Sequence, residues 1–224
     1  MKNLYLISIL LFILFSCSTD EENLCTDSEL GVNCQGADYI QNSDSPYVLP
    51  WETGKTFVLG QVNCSDYSHP RDSYSQFSYD ILMPIGTNLV AVQSGKVIGV
   101  AENFEDVQDG VIDISLIDKA NYISIKHPDG TRASYVHLTI NGALKSVGDN
   151  VIQGEVIALS GNSGWSSEPN LHFQLNECVD SDDRPNYTNT VCNSVPITFK
   201  NTSEHCFGLL GSNFKPNGYT AAIC

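Results

Sequence analysis

The sequence predicts a mainly β protein, a small antiparallel β-sheet or β-sandwich-like domain, on three observations. Short runs of alternating or β-branched residues recur along the chain, separated by Gly, Asn and Asp. Two of these runs are joined by His127-Pro128-Asp129-Gly130-Thr131, whose Asp-Gly step supplies the left-handed torsions of a hairpin turn. No long amphipathic helix competes with the pattern.

Taken in order, the strand-like runs cover residues 56–62, 77–82, 88–92, 95–102, 122–127, 132–138, 155–160 and 171–176, and residues 195–200 read as a closing strand. Ahead of them, Lys2 precedes an apolar run over 4–15 that is too short to span a bilayer and suits a signal-peptide core. Its end, Leu14-Phe15-Ser16-Cys17, resembles the bacterial lipobox, which implies removal of residues 1–16 and acylation of Cys17. Two acyl chains on one cysteine anchor a protein stably. Ser18 in second place, followed by acidic residues, resembles lipoproteins sorted to the outer membrane of a Gram-negative host. Residues 17–46 are polar and read as an acidic tether, 47–200 as the folded domain and 201–224 as a Cys-containing segment packed on it.

A formal net charge of -15 opposes nucleic-acid binding, because phosphates would be repelled. Eight cysteines suit an oxidising, extracytoplasmic compartment. With Cys17 set aside for lipid, the sequence-local pairs are Cys178 with Cys192, Cys206 with Cys224, and Cys25 with Cys34, although spacing alone does not decide connectivity. A zinc site built of thiolates lacks any Cys-x-x-Cys pair.

Four stretches carry the functional reading. They are Ser68-His69 followed by Tyr79-Asp80-Ile81-Leu82-Met83-Pro84-Ile85-Gly86-Thr87; Ala91-Val92-Gln93-Ser94-Gly95-Lys96-Val97; Ser134-Tyr135-Val136-His137-Leu138 with Val147-Gly148-Asp149 and Gly154-Glu155-Val156-Ile157; and Ser160-Gly161-Asn162-Ser163-Gly164 with Glu168-Pro169-Asn170-Leu171-His172-Phe173-Gln174. In order and spacing they resemble the lysostaphin-type, or LytM-type, zinc metallopeptidases, which cut peptide bridges of peptidoglycan and share the duplicated hybrid motif fold. The resemblance implies a Zn²⁺ held by His69, Asp80 and His172, with a fourth position left for water. It also implies that His137 orients that water or stabilises the charge developing on the substrate.

Two departures bear on catalysis. Typical members carry the first ligand four residues before the Asp, where this chain has Gln76; His69 lies eleven upstream, as in relatives whose His follows a Ser. Gln ligates zinc poorly, so His69 is the better candidate, with a surface-loop histidine as the alternative. The family's H-x-H becomes Asn170-Leu171-His172, which keeps the ligand but replaces the first His. Asn170 offers an amide hydrogen to an oxyanion and cannot exchange a proton near neutral pH. His127 and His205 fall outside the motif, and Trp165 is a candidate stacking aromatic or a packing residue. Two readings follow: a zinc endopeptidase of the envelope acting on peptidoglycan peptides, or a noncatalytic member that binds the wall or regulates another wall hydrolase.

Overall fold

A computed structural model of the chain describes residue 34 and residues 37–65, 67–178, 192–202 and 218–220. Its strands are β1 (Thr56–Gln61), β2 (Tyr79–Leu82), β3 (Asn88–Val90), β4 (Gly95–Ala101), β5 (Asn121–Lys126), β6 (Arg132–Ala143), β7 (Asn150–Val151), β8 (Val156–Ser160), β9 (Asn170–Cys178), β10 (Cys192–Ser194) and β11 (Gly218–Thr220). They form one antiparallel sheet ordered β11-β1-β2-β9-β6-β5-β4-β7, with β10 beside β9 and β8 joining β3 to β6. The mainly β expectation holds. Among the described residues the only helical elements are single 3-10 turns at Asn42–Asp44 and Ile114–Leu116.

The strands that build the site show why alternation matters. Tyr79 and Ile81 on β2, Leu171, Phe173 and Leu175 on β9, and Ala133 and Tyr135 on β6 are buried in one hydrophobic core with Leu49, Trp51, Leu89 and Phe199. Side chains on a strand alternate between faces. The intervening residues Asp80, Asn170, His172 and Gln174 therefore share the other face. The register sets Asp80 opposite His172, and His172 opposite Val136.

Three expectations need correction. Residues 195–199 belong to no ladder, although Ile197 and Phe199 are buried in the core; Pro196 has no N–H to contribute to one. Packed structure begins before Tyr47: Asn42 and Ser45 are buried, and Ser45 Oγ donates to the Thr198 carbonyl, so residues 37–46 lie against the domain instead of serving as tether. Cys34 pairs with Cys64, not with Cys25, because the fold carries Cys34 to the loop after β1. Cys178 pairs with Cys192 as expected, closing the β9–β10 hairpin. Cys17, Cys25 and the proposed Cys206–Cys224 pair lie outside the described residues.

His127 sits at the entrance of the Asp-Gly turn, buried beside Tyr47, with Nδ1 facing the Ser94 carbonyl at 3.1 Å. Burial lowers its pKa from 6.5, against the raising effects of the Ser94 hydrogen bond and the Asp129 charge. As pH falls below about 6.5, the unfolded chain takes up a proton that the folded chain resists, so this contribution to stability is present above that pH and lost on acidification. The slope it adds is at most about 1.4 kcal/mol per pH unit. A His127→Gln variant should therefore lose less stability than the parent between about pH 7 and pH 5 in urea unfolding. Parallel slopes for the two proteins would refute this.

Candidate metal centre

Three donors from separate parts of the chain converge on the polar face of the sheet. His69 comes from the loop between β1 and β2, Asp80 from β2 and His172 from β9. Their ligating atoms lie within 4.8 Å of one another, and among the described residues no other group of His, Cys, Asp and Glu does this. His69 Nε2 is 3.4 Å from Asp80 Oδ1 and 3.4 Å from His172 Nδ1. Tetrahedral zinc with bonds near 2.0–2.1 Å requires ligand edges of roughly 3.3 Å, so two of the three edges already fit. The third, His172 Nδ1 to Asp80 Oδ1, is a hydrogen bond of 2.7 Å that an entering cation would open by about half an ångström.

A hydrogen bond on the far nitrogen of each imidazole aims the other nitrogen at the site. His69 is fully buried, and its Nδ1 donates to the Val62 carbonyl at 3.1 Å, which leaves the Nε2 lone pair on the site. His172 donates Nε2–H to Gln174 Oε1 at 3.2 Å and Nδ1–H to the Asp80 carboxylate, and the latter is the proton an entering cation would displace. Burial raises the Asp80 pKa, but His69 and then His172 more than reverse this, so Asp80 is ionised well below the usual carboxylate range. Burial opposes a charged His172, yet its hydrogen bond and charge contact with Asp80 prevail and its pKa is raised. A carboxylate and two oriented imidazoles are the donor set of a catalytic zinc site, and the residues fit a divalent cation of that kind.

The loop places His69, and not Gln76, beside Asp80 and His172. Gln76 turns into its own loop, its Oε1 accepting from the Asp72 backbone N–H at 3.0 Å and its Nε2 reaching Cys64 Sγ at 3.6 Å. The Cys34–Cys64 disulfide and the bonds from Asn63 Nδ2 to the Tyr39 and Tyr79 hydroxyls fasten that loop to the body of the domain.

His137 reaches the site through a β-bulge. Tyr122 pairs with Val136 and Asn121 with Leu138, so His137 is the extra residue on β6; its φ of 64° turns it onto the face that bears His172. Such bulges re-aim side chains next to active sites. Its Nδ1 donates to the Ser163 carbonyl at 2.7 Å, its ring lies 6.0 Å from that of His172, and Nε2 is left as an acceptor. Burial and the charge of His172 lower its pKa to about 4, which keeps the ring neutral near pH 7.

Asn170 lies beside these groups, with a correction to its expected role. Both amide hydrogens are engaged, by Ser166 Oγ at 2.7 Å and by the Glu168 carbonyl at 2.8 Å. Its Oδ1 is buried and has no partner. Asn170 therefore has no amide hydrogen left for an oxyanion.

The cleft over the site has a volume of about 360 Å³ and is walled by Tyr67, Trp165, Ile112, Ile117 and a group of serines. Tyr67 and Trp165 face each other at its mouth with ring centroids 6.2 Å apart, which puts Trp165 on the cleft. Sequence reasoning missed Asp106, whose carboxylate accepts from the Asn162 backbone N–H and from Thr139 Oγ1, both at 2.6 Å, and so ties the Gly161-to-Gly164 loop to the β4–β5 connection. No local pattern marks Asp106. Gly161 is required here because a Cβ would overlap the Thr139 backbone nitrogen, and at Gly164, with φ 82°, a Cβ would lie 2.6 Å from that of Ala120.

An antiparallel sheet that gathers an Asp and two His around one cation position is the architecture of a metallopeptidase, and residues 75–186, half of the chain, match the model of peptidase family M23. The chain belongs to peptidase family M23. It is 34% identical over 99 residues to lysostaphin of Staphylococcus staphylolyticus, covering 44% of this chain and 18% of the relative. It is 32% identical over 101 residues to a glycyl-glycine endopeptidase of Staphylococcus capitis, covering 45% of this chain and 24% of that protein. The matched region thus spans about a fifth of the length of these curated relatives. The structure also matches that of the antimicrobial peptidase lysostaphin from Staphylococcus simulans, with 23% identity, a TM-score of 0.41 and coverage of 66% of this chain and 50% of that one.

Proposed function

We propose that this chain is a zinc metalloendopeptidase of the cell envelope that hydrolyses peptide cross-links of peptidoglycan. The observation that carries the reading is the convergence of His69 Nε2, Asp80 Oδ1 and His172 Nδ1 at coordinating spacing beside a cleft that Asp80 and His172 line. The kinship with a glycyl-glycine endopeptidase supports a peptide substrate. A zinc ion held there supplies a Lewis acid that polarises a peptide carbonyl and acidifies a water.

The chain's own groups do the rest. His137, neutral and held through Nδ1, offers Nε2 as a hydrogen-bond acceptor to the attacking water. The aromatic and isoleucine walls shelter the reacting peptide from bulk solvent.

One observation favours a second reading, a wall-binding module or regulator of another wall hydrolase: Asn170 stands where proton transfer is expected, and loss of such a group costs about a hundred- to ten-thousandfold in rate. The deciding experiment measures bound zinc and incubates the protein with purified peptidoglycan. Release of soluble peptides that stops on chelation and returns with zinc supports the enzyme; zinc with wall binding and no product supports the module; absence of zinc refutes the metal site.

We also infer attachment to the membrane through acylated Cys17, with the domain facing the extracytoplasmic side and, in a Gram-negative host, at the outer membrane. Supporting this are the apolar run over 4–15 and Ser16-Cys17 at its end. A Cys17→Ser variant should leave the membrane fraction and fail to incorporate a radiolabelled fatty acid; unchanged labelling and membrane retention would overturn the assignment.

A further inference from the structure

Beneath the metal ligands a row of buried polar side chains crosses the sheet. Ser78 Oγ donates to Gln174 Oε1 at 2.8 Å, Gln174 Nε2 donates to Asn176 Oδ1 at 2.8 Å, Asn176 Nδ2 donates to Ser134 Oγ at 3.3 Å, and Ser134 Oγ meets Ser124 Oγ at 3.3 Å. All five residues are at most 5% exposed. Burying this many polar groups is unfavourable unless each finds a partner, and the row satisfies them in sequence across the neighbouring strands β2, β9, β6 and β5.

The row has a direction, and the direction ends on His172. Because Gln174 Nε2 points to Asn176, its Oε1 points back to where Ser78 donates and where His172 Nε2 lies 3.2 Å away. An Oε1 carbonyl there accepts the Nε2–H hydrogen and leaves Nδ1 as the nitrogen facing Asp80 and His69. A reversed amide would present N–H to Nε2 and strip that nitrogen of its proton, so that a cation displacing the Nδ1 proton would leave the ring with none. Gln174 and His172 share one face of β9 because they stand two residues apart on a strand.

We propose that Gln174 is a positioning residue of the metal centre, its side-chain carbonyl holding His172 in the Nε2–H form so that Nδ1 faces the cation. The inference rests on the metal-site reading above and is independent of whether the protein hydrolyses anything. Groups that hold a ligating imidazole in this way typically contribute about ten- to a hundredfold to metal affinity.

The test compares Gln174→Leu, Gln174→Glu and Ser78→Ala in the full chain by zinc affinity against a competing chelator. In parallel, ¹H–¹⁵N NMR of the His172 ring is recorded on metal-free protein. Gln174→Leu should bind zinc about ten- to a hundredfold more weakly, and its Nε2–H correlation should exchange rapidly with water. Gln174→Glu keeps an acceptor for Nε2–H, and Asn176 can turn its amide to meet it while the Ser134 hydroxyl reverses. This variant should bind zinc at least as tightly as the parent and keep the slow Nε2–H signal. Ser78→Ala frees the amide to turn and should fall between the two. If Gln174→Leu does not fold, the Glu and Ala variants decide. Zinc affinity unchanged in Gln174→Leu, or equal losses in the Glu and Leu variants, would overturn the proposal, as would a metal-free parent protein whose His172 ring shows no slow proton on Nε2. A parent that shows the slow Nε2–H signal but binds no zinc would instead sink the metal-site reading while upholding the role of Gln174 on His172.

Discussion

His172→Ala should abolish tight zinc binding and all peptide release from peptidoglycan. The site offers three donors, and His172 Nδ1 is the one bonded to Asp80 at 2.7 Å and 3.4 Å from His69 Nε2. Without it, the carboxylate of Asp80 and a single imidazole remain, fewer protein ligands than catalytic zinc uses. The loss should therefore exceed the about ten- to hundredfold that removal of an outer partner brings. The fold should survive, since His172 lies on the polar face of β9 while Leu171, Phe173 and Leu175 hold the core. Competition with a chromogenic chelator reads the affinity and circular dichroism checks the fold. Retention of zinc within about tenfold of the parent would remove His172 from the ligand set.

Asn170→His should act in the opposite direction, raising the rate of peptidoglycan hydrolysis by about a hundredfold or more. The present amide Nδ2 donates to the Glu168 carbonyl and to Ser166 Oγ. An imidazole there can reuse either contact through Nδ1–H and carry its Nε2 into the cleft, where it exchanges protons near neutral pH as an amide cannot. Zinc affinity should change little, because Asn170 is not one of the three donors. A gain in rate without a gain in zinc would separate proton transfer from metal binding. An unchanged rate in a variant that still folds and loads zinc would show that His137 alone serves the water.

Much of this site was legible before folding was considered. The alternation of Tyr79 with Asp80, and of Leu171 and Phe173 with His172, already puts core and site on opposite faces of their strands. The Pro196 segment shows the limit of such reading: its apolar residues are in the core, but a ladder needs backbone donors as well as an apolar pattern. Gln174 stands in a motif without a role legible in it, because that role depends on hydrogen bonds to Ser78 of the neighbouring segment and to His172 and Asn176 on its own strand. Asp106 carried no signal at all, since its bonds to Asn162 and Thr139 bridge 56 and 33 residues of sequence.

The amino-acid order by itself determined the strand succession, the Asp-Gly turn, the family, and the identity of Asp80 and His172 as candidate ligands, since periodicity and short motifs are local and survive without knowing what packs against what. Tertiary structure alone decided that His69 and not Gln76 lies beside Asp80 and His172, that a one-residue bulge swings His137 toward His172, and that the hydrogens of Asn170 are taken up by Ser166 and Glu168. Each of those outcomes depends on register and loop closure between segments far apart in the chain. Such contacts are set by the packing of the whole sheet, which no window of neighbouring residues encodes.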